Sequence, residues 1–135
     1  MRWHEVVPAL LDTVETDPVL TGILGTAVYK SGDRDLRVPS MEWTLISDVE
    51  EENFNPLRIQ WDIFVRRDVD LVNAEQRLRW LFHHDLPVTI GEINMWSQYV
   101  ARSGIPGLQD GIRGSSTDFT FTPIRSRYVR TTGAS

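Results

Sequence analysis

The chain has 135 residues, a formal net charge of −5, a pI near 5.1, 41% hydrophobic residues and 24% charged residues. One globular domain is expected at this length, and pervasive disorder is excluded by the composition. The acidic balance argues against a protein whose main task is gripping a phosphate backbone.

There is no Cys. Disulfides, thiolate metal sites and a Cys nucleophile are therefore excluded, and a reducing cytosol fits. All basic residues but Lys30 are Arg. That bias reads first as codon usage in a GC-rich genome and second as interface chemistry. No apolar run approaches the ~18–20 residues of a membrane span, and MRWHEVVPALL does not read as a signal peptide. A chain that is soluble where it is made, with no membrane partner, is the expectation.

Met1 to Thr16 carries Trp3, Val6, Val7, Leu10, Leu11 and Val14 at helical spacing. Pro8 predicts either a start near Val6 or a kink. Asp17-Pro18 reads as an N-cap followed by Pro at the first helical position, opening a short helix over Pro18–Leu24 that Gly25 ends. Thr26–Lys30 predicts a short strand, Ser31–Ser40 a loop, and Trp43–Val49 a second strand. Glu50, Glu51 and Glu52 lie in the turn that follows. A polar turn has no apolar surround to raise a carboxylate pKa, so this run reads as solvated loop and not as a metal or acid–base site.

Leu57–Arg66 alternates: Leu57, Ile59, Trp61, Ile63 and Val65 are apolar, with mostly polar residues between. That pattern predicts a half-buried strand, forming an antiparallel hairpin with the strand before it. Asp70–Asp85 is the strongest helix, with Leu71, Ala74, Leu78, Leu81 and Phe82 on one face and Asp68 or Asp70 as cap. His83 and His84 are expected in its last turn, where they suit the helix dipole. Adjacent helical residues point about 100° apart, so the two do not share a metal easily.

Val88–Arg102 returns to strand character, with Gly91 marking a bulge or break. Ser103–Thr117 holds four glycines and reads as a flexible loop or arm, without the context of a phosphate loop. Its apolar residues Ile105, Pro106, Leu108 and Ile112, with Arg113, either meet a partner or tuck onto the domain itself. Asp118–Arg130 is read as the last strand, an edge strand or one bent at Pro123. Its Arg125 and Arg127 share a face in a regular strand. They either block unwanted strand pairing or contact an acidic partner or neighbouring subunit. Residues 131–135 are expected to fray. No Ser stands in a nucleophile motif, so the chain reads as a non-enzyme with no catalytic, cofactor or metal residues.

The fold expected is α/β (α+β) in one domain over residues 1–135. A mixed, mainly antiparallel sheet of about four to five strands has two main helices packed on one face. The order of elements is informative: an amphipathic helix, Asp17-Pro18, Leu20, Leu24-Gly25, a strand to Tyr29, a loop ending Val38-Pro39, the Trp43 strand, the Leu57–Arg66 strand and the Asp70–Asp85 helix. Over roughly Val6 to Arg130 this order resembles the tail terminator (tail completion) proteins of long-tailed bacteriophages and related gene-transfer particles.

The resemblance implies a structural virion protein assembled in the host cytoplasm as a hexameric ring. Such a ring caps the tail tube, stops its polymerisation and joins it to the head connector. Genomic DNA passes through its lumen without specific binding. The interface residues expected are Ile105, Pro106, Leu108, Ile112, Arg113, Arg125 and Arg127. The rival readings are another neck protein (head closure or head–tail joining), a small ligand-binding or enzymatic α/β domain, and a nucleic-acid binder through Arg125, Arg127 and Arg130.

Overall fold

The computed structural model describes residues 3–25, 28–30, 32, 37–46 and 57–124, with side chains from Val6 onward. Among these are helices α1 (Trp3–Thr16), α2 (Pro18–Leu24) and α3 (Asp68–Phe82). The strands are β1 (Val28–Lys30), β2 (Ser40–Leu45), β3 (Leu57–Val65), β4 (Val88–Ile90), β5 (Ile93–Gly104) and β6 (Arg113–Pro123). They form one sheet in the order β1-β2-β3-β6-β5-β4. All neighbours run antiparallel except β1 and β2, which are parallel.

β3 sits inside the sheet, between β2 and β6. Its odd residues from Leu57 to Val65 are buried, while Arg58, Gln60 and Asp62 are half-buried on the other face. The alternation follows from the strand's two-residue period. Register carries the same two faces across the sheet: Trp43 and Thr117 lie beside Trp61, and Glu42 and Ser116 lie beside Asp62.

All three helices pack on the odd-residue face. Phe82 of α3 stacks on Trp61 at 5.8 Å and meets Phe119 and Phe121 edge-on at 5.8 and 5.4 Å. Leu78 is fully buried beside them, and Val6, Leu10, Val14, Leu20 and Leu24 join the same core. Each such large side chain contributes about 1.5–3 kcal/mol on burial.

α1 carries Pro8 inside its length and runs from Trp3, earlier than a start at Val6. Pro8 lies close enough to the helix start that its missing N–H costs one bond of the second turn, and its ring is exposed. α2 starts and stops where Asp17, Pro18 and Gly25 direct. Gly91, at φ 64°, takes the first of two turn positions between Ile90 and Ile93, a place that demands glycine.

Several expectations are corrected. The sheet has six strands, where about four to five were expected. β2 begins at Ser40, three residues before Trp43, because Ser40 and Met41 are buried beside Phe64 and Ile63. α3 runs Asp68–Phe82 with Arg67 in the cap position, so Asp68 and Asp70 lie in the first turn, where the helix dipole favours them. His83 and His84 fall past its end. The Tyr99 N–H donates to His83 Nδ1 (3.1 Å), His84 Nε2 donates to Leu81 O (2.8 Å), and the His84 N–H donates to Ser97 O (3.0 Å).

The largest difference concerns Ser103–Thr117, read as a flexible arm. β5 continues through Gly104 and β6 begins at Arg113, leaving only residues 105–112 as the hairpin tip. Ser115 and Thr117 are buried opposite Ile63 and Trp61. β6 is accordingly an inner strand over Arg113–Pro123, and the Ile124 N–H after it still donates to Asn94 O on β5. The expected strand beyond it, the acidic run 50–52 and residues 131–135 lie outside the described residues.

Candidate interaction surfaces

Three surfaces stand out. The first is on the helical side. Asp17, almost fully buried, caps α2 by accepting from the Leu20 N–H at 3.0 Å. Arg77 of α3 grips the same carboxylate, Nη2 to Oδ1 at 2.7 Å and Nε to both oxygens at 3.0 Å. Its guanidinium lies 4.0 Å from the ring centroid of Trp80, a cation–π contact. Burial pushes the Asp17 carboxyl up, but the Arg77 bonds and the Leu20 amide outweigh it and hold it below its ordinary value. Beside this cluster α2 and α3 leave an open groove of about 590 Å³, lined by Pro18, Val19, Ile23, Gln76 and Trp80 among others. Trp80 is 65% exposed, and Val19, Val69 and Val72 are exposed nearby. This groove lies between helices, not on the sheet.

The second is the sheet face opposite the helices. Its inner rows carry Glu42, Thr44, Arg58, Gln60, Asp62, Ser116 and Asp118. Arg58 pairs with Asp118 at 2.5 Å. Asp62 accepts from Gln60 Nε2 at 2.9 Å and Ser116 Oγ at 2.6 Å. Glu42 is the Cα partner of Asp62 across the β2–β3 ladder. Burial and the neighbouring Asp62 charge raise the Glu42 carboxyl above its ordinary value. Like charges directly opposite each other destabilise a sheet. Among the described residues neither Glu42 nor Asp62 has a cationic ion-pair partner.

The third is the β5–β6 hairpin tip, which the sequence singled out. Ile105, Leu108 and Ile112 are half-buried, while Pro106 and Arg113 are exposed. Leu108 folds back over Gly114: a Cβ there would come within 2.8 Å of Leu108 Cδ1 and 3.2 Å of Ile63 O. The Ile105 N–H donates to Gly114 O, closing the loop. Arg113 reaches α3, Nε to Asp68 Oδ1 at 2.9 Å. The tip thus gathers Ile105, Pro106, Leu108, Ile112 and Arg113 in one place, whereas Arg125 and Arg127 lie outside the described residues. The sequence alone did not single out Glu42, Asp62, Asp17 or Trp80 as site residues, because only strand register brings Glu42 beside Asp62 and only helix packing brings Arg77 and Trp80 to Asp17.

Among the described residues no cluster of three or more His, Asp or Glu could hold a metal ion, and no helix is long and apolar enough to cross a membrane. Taken together, the fold defines a mixed α+β domain whose distinctive chemistry lies on broad surfaces. No family model matches the chain, and no curated protein matches it. Among solved structures it is similar to a chain of the "Virion of native gene transfer agent (GTA) particle". The TM-score is 0.63 at 11% identity, covering 86% of this chain and 92% of the other. At that identity the likeness establishes a shared fold.

Proposed function

We propose that this chain is a structural virion protein, a ring-forming tail terminator that caps the tail tube, stops its polymerisation and joins it to the head connector. The observation that carries this reading is the shared fold: a component of a gene transfer agent virion matches it over nearly the whole of both chains. The element order that resembles tail terminators adds support from a separate direction. Assembly would be head-to-tail, one surface of a copy meeting a different surface of the next, with a rotation that closes as a hexamer. The hairpin tip, the sheet face opposite the helices and the α2–α3 groove are the surfaces on offer. Genomic DNA would cross the lumen without specific binding, which the acidic balance suits.

The same fold likeness fits another neck component, and position in the particle separates the two. The test is imaging and native mass spectrometry of the purified protein, alone and with tail tubes. A hexameric ring on the tube end, with tubes growing past normal length when the chain is withheld, is the expected result. Normal tube length without the protein, or its location away from the tube end, overturns the reading.

A further inference from the structure

The two carboxylates of Glu42 and Asp62 are cross-strand neighbours on the sheet face opposite the helices, and among the described residues neither has a cationic partner. Asp62 has neutral donors from Gln60 and Ser116, and Glu42 bears the repulsion. A face built in this way gains when a cation arrives, because the second charge relieves both the repulsion and the desolvation. The chain itself contains a matching group. After Ile124 the sequence reads Arg-Ser-Arg-Tyr-Val-Arg, and Arg125 and Arg127 are two residues apart, the spacing of neighbouring side chains on one strand face.

Reach decides which copy supplies them. The Ile124 N–H donates to Asn94 O, at the end of β5 beside the β4–β5 turn. Ser116, which lies opposite Asp62, is eight residues upstream of Ile124, about 26 Å along β6. Arg127 lies three residues beyond Ile124, about 10 Å of extended chain. At that length even a fully extended segment would not carry a copy's own Arg125 and Arg127 to its own carboxylate pair, which leaves those of a second copy as the source.

We propose that the sheet face opposite α1, α2 and α3, through Glu42 and Asp62, docks the Arg125–Arg127 segment of a second copy of this chain. The acidic patch and the basic segment are different surfaces, so the contact is head-to-tail and every copy offers one of each. The inference rests on the ring reading above for its consequence, but the docking itself is measurable alone. Opposite charges brought together in this manner set partner choice and register.

The experiment uses the full chain and a fluorescent peptide of residues 124–135. Anisotropy should show the peptide binding the parent protein, at least tenfold more weakly to the Glu42→Lys/Asp62→Lys variant, and more weakly in high salt. The milder Glu42→Gln/Asp62→Asn pair should weaken binding by a smaller factor, and circular dichroism should show both variants folded. A peptide with Arg125→Glu and Arg127→Glu should reverse the preference and bind the lysine variant. In native mass spectrometry, face-reversed and tail-reversed full chains should each associate poorly and recover when mixed.

Peptide binding indifferent to the face substitutions overturns the proposal, as does recovery only when both reversals sit in one chain. Rings unaffected by either reversal overturn the docking and leave the ring reading standing. Docking without rings in the parent or the mixture overturns the ring reading alone.

Discussion

Arg77 closes on Asp17 through three contacts of 2.7–3.0 Å while its flat side rests on Trp80. One carboxylate thereby starts α2, ends the α1–α2 corner and anchors both to α3. Replacing Asp17 with Ala removes the cap, which alone costs about 1 kcal/mol, and strips Arg77 of its partner. The melting temperature should fall by several degrees. Asp17→Asn keeps a capping oxygen and should lose less. Equal melting temperatures for parent and Asp17→Ala, read by circular dichroism, would show that the corner holds without this pair.

Two carboxylates should pull stability in opposite directions with pH. Asp17 is held below its ordinary 3.8 in the fold. Its contribution is full above that value and is lost as pH falls through the lower folded one. Glu42 is held above its ordinary 4.5, so ionising it in the fold costs stability. That penalty grows as pH rises from 4.5 through the raised folded value, then levels off. Glu42→Gln should therefore raise the melting temperature at pH 7 and leave it unchanged well below pH 4.5. Melting curves between pH 3 and 7 on parent, Asp17→Asn and Glu42→Gln give the comparison.

The hairpin tip should tolerate what its stem does not. Removing Ser103–Thr117 would delete the part of β6 that pairs with Trp61–Val65, and the chain should fail to fold. Shortening only residues 106–111 to a tight turn should leave a folded protein. Gly114→Ala should cost about 1–3 kcal/mol, because Leu108 and the Ile63 carbonyl crowd its Cα. Urea titrations of the three variants measure this. A well-folded Ser103–Thr117 deletion would contradict the pairing seen here.

Trp61 Nε1 and Thr117 Oγ1 are both buried without a hydrogen-bond partner among the described residues, on directly paired positions of β3 and β6. Thr117→Val keeps the shape and removes one such atom, so the variant should be as stable as the parent or more so. A loss of more than about 1 kcal/mol in urea unfolding would mean that the hydroxyl holds a partner worth keeping.

The legible parts of the fold were those written in one short stretch. The two-residue alternation of Leu57–Val65 and the Asp17-Pro18…Gly25 punctuation needed no distant neighbour to be read. Ser115 and Thr117 were misread because polar residues among glycines look like loop. Their burial comes from β3 on one side and, for Ser115, from a hydrogen bond to Glu75 of α3. Arg113 was read as an interface residue, but within the fold its partner is Asp68, 45 residues away and invisible locally. The same holds for Glu42 beside Asp62: a one-residue slip of the β2–β3 register would send one carboxylate to the opposite face.

The margins of the sheet also matter. β1 and β4, its outermost strands, are three residues each. Where β5 runs past β4, the Ser97 carbonyl and Tyr99 N–H are taken by the His83–His84 segment, and an irregularity between Tyr99 and Ala101 breaks the line beyond. A stray chain finds little backbone to zip onto at either rim. Backbone zippering of one copy onto another is thereby disfavoured along the described edges, which leaves side chains to carry any contact made there.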